Sequence, residues 1–260
     1  MMNSRYGSAM RSPGWRSACV VIALLGCSGV VLAQRRGASA PQGPPAQTSP
    51  LSQLHFRFLG PNGNRDIAVV GEPGNPLVAY FGAASGGIWK TEDGGVHFEP
   101  IFDEMDVASV SALAIAPSDS NTIWAGTGET FIIREATSVG DGAYKSTDAG
   151  RTWRHMGLDQ TGHIGNIVIN PRNPDLVFAC AVGQAYRANP ERGVFRSKDG
   201  GKTWEQVLKV DENTGCSGLD MDEHDSQTLF AGMWQIDIKP WDEHSGGPGS
   251  GVFVSRCHFD

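Results

Sequence analysis

Three aspartates recur in the same company along this 260-residue chain. Asp93 stands in GIWKTEDGGVHF (87–98), Asp148 in GAYKSTDAGRTW (142–153) and Asp199 in GVFRSKDGGKTW (193–204). Carboxylates repeated at fixed offsets could serve acid–base catalysis or hold calcium. A calcium loop alternates its acids and closes on a distal Glu, and that pattern is not written here. A tight turn accounts for every recurring residue instead. Asp bonds nearby backbone amides, and the following Gly residues take positive φ. The aromatic that ends each copy (Phe98, Trp153, Trp204) can fold back over the turn. The three aspartates are therefore read as structural.

The elements that carry these turns follow from the repeat, which returns about every 50 residues. Gly-aromatic-x-Ser/Thr reads as a short strand before the turn, and the closing aromatic opens the next strand. Upstream of each copy lies a second repeat, at 66–82, 112–126, 166–180 and 218–232. Each is an apolar strand, a polar turn and a second apolar strand ending in small residues. Pro73, Pro117 and Pro171 precede the turns, with Asn75-Pro76, Asp119-Ser120, Asn173-Pro174 and Asp225-Ser226 at one shared offset. Two strands from each repeat give four antiparallel strands per unit. The fold class is all-β, a β-propeller of four-stranded antiparallel blades with about four blades present.

A fourth copy begins GVFVSR at Gly251 and runs into Cys257, His258, Phe259 and Asp260 without its Asp, Gly pair or Trp. Residues 55–260 are accordingly expected to be a partial propeller with a truncated last blade, the N-terminal piece of a longer chain. Residues 1–33 read as an export signal: Arg5, Arg11 and Arg16 without an acid, a short apolar run, then Val31-Leu32-Ala33 before Gln34. Leu24-Leu25-Gly26-Cys27 also fits a lipoprotein box, so a lipid anchor at Cys27 is the alternative to secretion or a periplasmic location. Residues 34–54 are a Pro/Ala/Ser-rich linker. Net charge is −7; removing the signal leaves 18 basic against 28 acidic residues, a balance of −10. That excess disfavours nucleic acid as a partner. No membrane span, metal site or cofactor motif is read from the sequence. Cys180 and Cys216 could bridge in an oxidising compartment or stay as buried thiols.

The repeated pattern resembles the Asp-box, the bacterial neuraminidase repeat. Segments such as SGGIWKTEDGG, GDGAYKSTD, HIGNIVINP and ERGVFRS are similar to exported bacterial propellers labelled as glycosyl hydrolases. These are related to sortilin-type receptor propellers and to xyloglucan-degrading hydrolases. The resemblance implies a carbohydrate-acting site. In the xyloglucan-degrading group, it implies a catalytic Asp just before a Gly-Gly-aromatic segment of the first blade. Here the segment is 83–87, and Ala84 holds that position. Glycosidic cleavage ordinarily needs two carboxyl groups, so Asp66 and Glu129 are the remaining catalytic candidates. Arg57 is read as a strand-edge cation rather than a sialidase arginine, and Glu129 and His163 as hydrogen bonders between blades.

Recognition is the activity that the residues themselves favour. Long connections at 130–140, 184–191 and 235–250 are placed between the second and third strands of their blades. They carry Arg134, Glu135, Tyr186, Arg187, Lys239, Trp241 and His244, groups that can grip a protein or carbohydrate ligand. Trp234 is assigned to the core. The reading is an exported propeller that recognises a protein or glycan outside the cytoplasm. The alternative is a xyloglucanase-like hydrolase whose site needs further sequence.

Overall fold

The computed structural model describes residues 57, 65–130, 137–222 and 224–256. The signal, the linker, Cys27, Arg134 and Glu135 lie outside them. Among the described residues every regular element is a strand, and the sixteen strands form four antiparallel blades of a β-propeller. Blade 1 runs β1 (Asp66–Gly71), β2 (Ala79–Ala83), β3 (Ile88–Thr91) and β4 (Glu99–Pro100). Blade 2 holds β5 (Val110–Ala116), β6 (Asp119–Thr127), β7 (Ala143–Ser146) and β8 (Arg154–His155). Blade 3 holds β9 (Ile164–Ile169), β10 (Val177–Ala181), β11 (Gly193–Ser197) and β12 (Glu205–Leu208). Blade 4 holds β13 (Thr214–Met221), β14 (Thr228–Lys239), β15 (Asp242–Ser245) and β16 (Gly251–Arg256). In blade 4, β16 pairs with the first half of β14, and β15 pairs with its extended second half.

The blades stack in chain order through their first strands, β1 on β5, β5 on β9 and β9 on β13. Three apolar layers lie between them. Val78, Tyr80, Ile88, Phe102, Ile123 and Trp153 fill the first. Trp124, Ile164, Ile167 and Val177 fill the second. Leu176, Phe178, Leu219, Leu229 and Met233 fill the third. Tight approach sets the residue at the end of each second strand. A Cβ on Gly82 would stand 2.6 Å from the Val110 carbonyl, and one on Gly126 2.6 Å from Ile164 Cγ2. At the matching place in blade 3 the chain puts Cys180, which is disulfide-bonded to Cys216 on blade 4. Val110, Ile164 and Cys216 occupy equivalent positions on β5, β9 and β13. The disulfide thus replaces a glycine contact that the other blade junctions make by packing.

Each hairpin tip is held by its aspartate. Asp148 Oδ1 accepts from the Thr152 amide (2.9 Å) and the Ser146 hydroxyl (2.8 Å), and Oδ2 accepts from the Thr152 hydroxyl (2.6 Å). Asp199 repeats this with Thr203 and Ser197. Asp93 accepts from the amides of Val96 and His97, both at 2.9 Å, and meets His97 Nδ1 at 2.6 Å. The Ser/Thr hydroxyl accepts in turn from the second residue after the aspartate, as Ser146 does from Gly150 at 2.8 Å. These bonds favour the charged carboxylate. The Thr152 and Thr203 hydroxyls hold Asp148 and Asp199 down to about 2, and the His97 amide holds Asp93 well below the usual range. Arg57 Nη2 donates to the Gly94 carbonyl at the first tip.

The closing aromatics of blades 2 and 3 reach backwards into the preceding blade. Trp153 Nε1 donates to the Ile101 carbonyl (2.8 Å) and its ring meets Phe102 edge-on at 5.3 Å. Trp204 Nε1 donates to the Met156 carbonyl (2.7 Å), with its ring edge-on to Trp124 at 5.8 Å. Phe98 lies against Phe81 of its own blade. Gly150 and Gly201 make room for this packing: a Cβ there would strike Ile101 and Trp124 respectively.

A candidate binding cleft at the blade mouths

The second-to-third-strand connections open on the side where β1 begins. Arg65, Asp66 and Ile67 of blade 1, Thr130 of blade 2, Val182 of blade 3, and Ser217 and Trp234 of blade 4 line one cleft there. All four blades contribute because the first strands converge on a common centre. The cleft combines a cation, a carboxylate, two hydroxyls and an indole. Burial raises the Asp66 carboxyl above its ordinary value, which keeps it nearer a protonated state than an open aspartate.

Behind the cleft the polar groups are locked together. Arg65 Nη2 lies 2.5 Å from Glu129 Oε1, and Glu129 is buried. Glu129 also receives the Ser138 amide at Oε2 (3.4 Å). His163, fully buried, meets the Gly183 carbonyl through Nδ1 (2.8 Å) and Thr137 Oγ1 through Nε2 (3.3 Å). A carbonyl can only accept, so Nδ1 carries the proton and Nε2 accepts from Thr137. Burial lowers the His163 pKa and keeps the ring neutral. Thr137 Oγ1 is 2.7 Å from the Tyr186 hydroxyl. Arg192, also buried, donates to the carbonyls of Asn213, Ile236, Gln184 and Arg187 and ties the blade 3 connection to blade 4. In this geometry Glu129 and His163 join neighbouring chain segments, while Asp66 faces the cleft.

The sequence-predicted ligand groups separate into two sets. Tyr186 is half-buried and packs with Trp234 against Val182, Ala185, Ile236 and Ile238. Arg187 is exposed beside it. Lys239, Trp241 and His244 stand together on the β14–β15 hairpin, where a loop was expected. That hairpin forms because Ile236 and Ile238 alternate inward while Ser245 and Glu243 pair opposite them. Trp241 is 80% exposed at its tip. Lys239 and His244 are partnered by Asp237 and Asp242. Trp234, assigned to the core, is half-buried against that apolar cluster and also lines the cleft, with its Nε1 donating to the Ser245 hydroxyl at 3.1 Å. Arg65 and Arg192 were missed. Arg65 precedes the first strand and has no counterpart in the repeat, and the burial of Arg192 depends on the distant Asn213 and Ile236 carbonyls as well as on two in its own connection. Ala84, where the resemblance implied an acid, is fully buried.

Four-stranded antiparallel blades with a cleft at the mouths of their long connections define a β-propeller scaffold. The family model described as "Sortilin, neurotensin receptor 3" (Sortilin-Vps10) matches residues 86–235, and the chain belongs to that family. It is 26% identical over 181 residues to a xyloglucanase of Hypocrea jecorina (strain QM6a), covering 61% of this chain and 21% of that protein. Among solved structures, an ancestral GH74 enzyme superposes with a TM-score of 0.58 at 20% identity, over 74% of this chain and 24% of the enzyme. The GH74 enzyme of Niastella koreensis gives 0.53 at 20% identity, over 73% and 28%. The two structural matches establish shared fold. The chain spans between a fifth and a third of the length of these relatives.

Proposed function

We propose that this chain is the recognition part of an exported propeller and that it binds a β-glucan-type glycan in the cleft at the blade mouths. One observation carries the reading: Trp234 lines one opening together with Arg65, Asp66, Thr130 and Ser217, contributed by different blades. Sugars are held by an aromatic surface for their C–H faces and by placed donors and acceptors for their hydroxyls. The similarity to a xyloglucanase selects a β-glucan as the ligand class to test. Trp241, exposed on the β14–β15 hairpin, is an outer contact for a longer chain, with Lys239 and His244 beside it. Tyr186 and Arg187 form the neighbouring rim. Export rests on the leader at residues 1–33, with Cys27 anchoring as the lipoprotein alternative.

Titration calorimetry with xyloglucan oligosaccharides tests this. Binding that falls at least tenfold in Trp234→Ala, with an unchanged melting temperature, supports it. Equal binding by wild type and variant, or no binding, removes it. A hydrolytic reading is favoured by one specific feature, the raised pKa of Asp66 in the cleft, which suits a general acid. Glu129, tied to Arg65, is the other candidate. Reducing-end release that is lost in Asp66→Asn or Glu129→Gln would make the protein an enzyme. The binding reading requires that no such release occurs.

A further inference from the structure

The third and fourth strands of blades 1 to 3 meet at an outer rung that carries charge. In blade 1 the rung is Lys90 opposite Glu99, and in blade 3 it is Arg196 opposite Glu205. Both cations have an acid at hand: Lys90 Nζ lies 2.5 Å from Glu92 Oε1, and Arg196 Nη2 donates to Glu205 Oε2 at 2.7 Å. Blade 2 breaks the pattern. Its rung sets Lys145 opposite Arg154, and Thr147 holds the place of Glu92, two residues after the lysine. Like charges directly opposite one another destabilise a strand pair. Among the described residues neither Lys145 nor Arg154 forms an ion pair.

That rung opens on a cleft of about 490 Å³ between blades 2 and 3, where Lys202 brings a third cation. Lys145 is fixed in place: its ammonium lies 5.2 Å from the Trp124 ring centre and donates to the Gly200 carbonyl at 3.3 Å. Arg154 and Lys202 are exposed, and Thr147 adds a hydroxyl. Two carboxylates also border the cleft. Asp199 is committed to its own turn, where it accepts from Thr203 and Ser197, and Asp175 stands exposed beside Gly200. Three cations against two acids leave the cleft positive on a chain whose net charge is −7. We propose that this cleft binds a sulfate or phosphate group, with the oxyanion between Lys145 and Arg154. An oxyanion there offsets the like-charge rung and accepts charge-assisted bonds from an ammonium and a guanidinium together. The cleft has the size of a small-molecule site, so it admits a group that carries the anion as well as the bare ion. Blades 2 and 3 both have four strands, and the cleft is walled by two whole sheets.

Titration calorimetry on the full chain, at fixed ionic strength in sodium chloride, tests this. The probes are inorganic sulfate, inorganic phosphate, glucose 6-sulfate and glucose 6-phosphate, with glucose as the uncharged comparison. Saturable binding of a charged probe is expected, with none of glucose. Arg154→Glu, which gives blade 2 the charge pattern of blades 1 and 3, should weaken that binding at least tenfold. The same change should raise the melting temperature in chloride, because Lys145 gains an acid across the rung. Lys202→Gln, at an exposed position, is a second variant and should weaken binding about threefold. An ester that binds more tightly than its inorganic ion assigns a sugar-borne group as the ligand; equal binding assigns the free ion. Absence of binding by every charged probe, or binding unchanged in Arg154→Glu, overturns the proposal. None of these results depends on glycan binding at the blade mouths.

Discussion

Trp153→Phe tests whether the closing tryptophans hold one blade to the next. Trp153 is buried, its ring is edge-on to Phe102, and its Nε1 crosses the junction to the Ile101 carbonyl. Phenylalanine keeps most of the apolar area but has no N–H. Leaving this part-buried carbonyl without its donor costs about 1–2 kcal/mol, the lower part of the range for an unmet acceptor. Losing one ring of the indole adds about 1 kcal/mol of cavity and edge contact. The variant should therefore lose about 2–3 kcal/mol, and Trp153→Ala about 4–5 kcal/mol, near the upper end for a buried aromatic. Trp241→Ala, at the exposed hairpin tip, is the control and should stay within about 0.5 kcal/mol of wild type. Equilibrium urea denaturation measures all three, and amide exchange in β4 and β8 localises the effect. A Trp153→Phe protein as stable as the Trp241 control would refute the claim that this bond joins the blades.

Ala149 adopts φ 60° where the other two repeats place glycine, so Ala149→Gly should raise stability by about 0.5–1 kcal/mol, read as a higher melting temperature. The carboxyls of Asp93, Asp148 and Asp199 are depressed in the folded chain. The unfolded state therefore binds more protons between its own pKa near 3.9 and the folded values. The contribution of these turns is complete above about pH 5 and is lost as pH falls toward 2; a melting-temperature profile over that range should flatten in Asp148→Asn/Asp199→Asn. Reducing the Cys180–Cys216 bridge, which closes a sequence separation of 36 residues, should cost about 3–4 kcal/mol. Denaturation with and without dithiothreitol measures it, and Cys180→Ala/Cys216→Ala should be insensitive to the reductant.

The sequence by itself determined the blades. Their turns are closed by local chemistry: Asp148 reaches no further along the chain than Ser146 and Thr152, and Gly94, Gly150 and Gly201 take positive φ within a few residues of the groups they serve. Interactions this short in sequence leave their pattern in every repeat, so periodicity alone identifies strands, hairpins and the four-stranded unit. The cysteine pair was half legible. Aligning the repeats sets Cys180 on Gly82 and Gly126, but that Cys216 faces it depends on how blade 4 lies against blade 3. Tertiary structure decided the rest. Trp153 and Trp204 find carbonyls about fifty residues back, Trp234 becomes a cleft wall, and Ile236 and Ile238 turn a polar connection into a hairpin by packing on Val182 and Ala185. Arg65 meets Glu129, and Arg192 gathers four carbonyls, from segments that share no repeat position. Contacts between blades depend on the angle and spacing at which whole sheets stack, and that geometry is a property of the assembled propeller rather than of any one repeat.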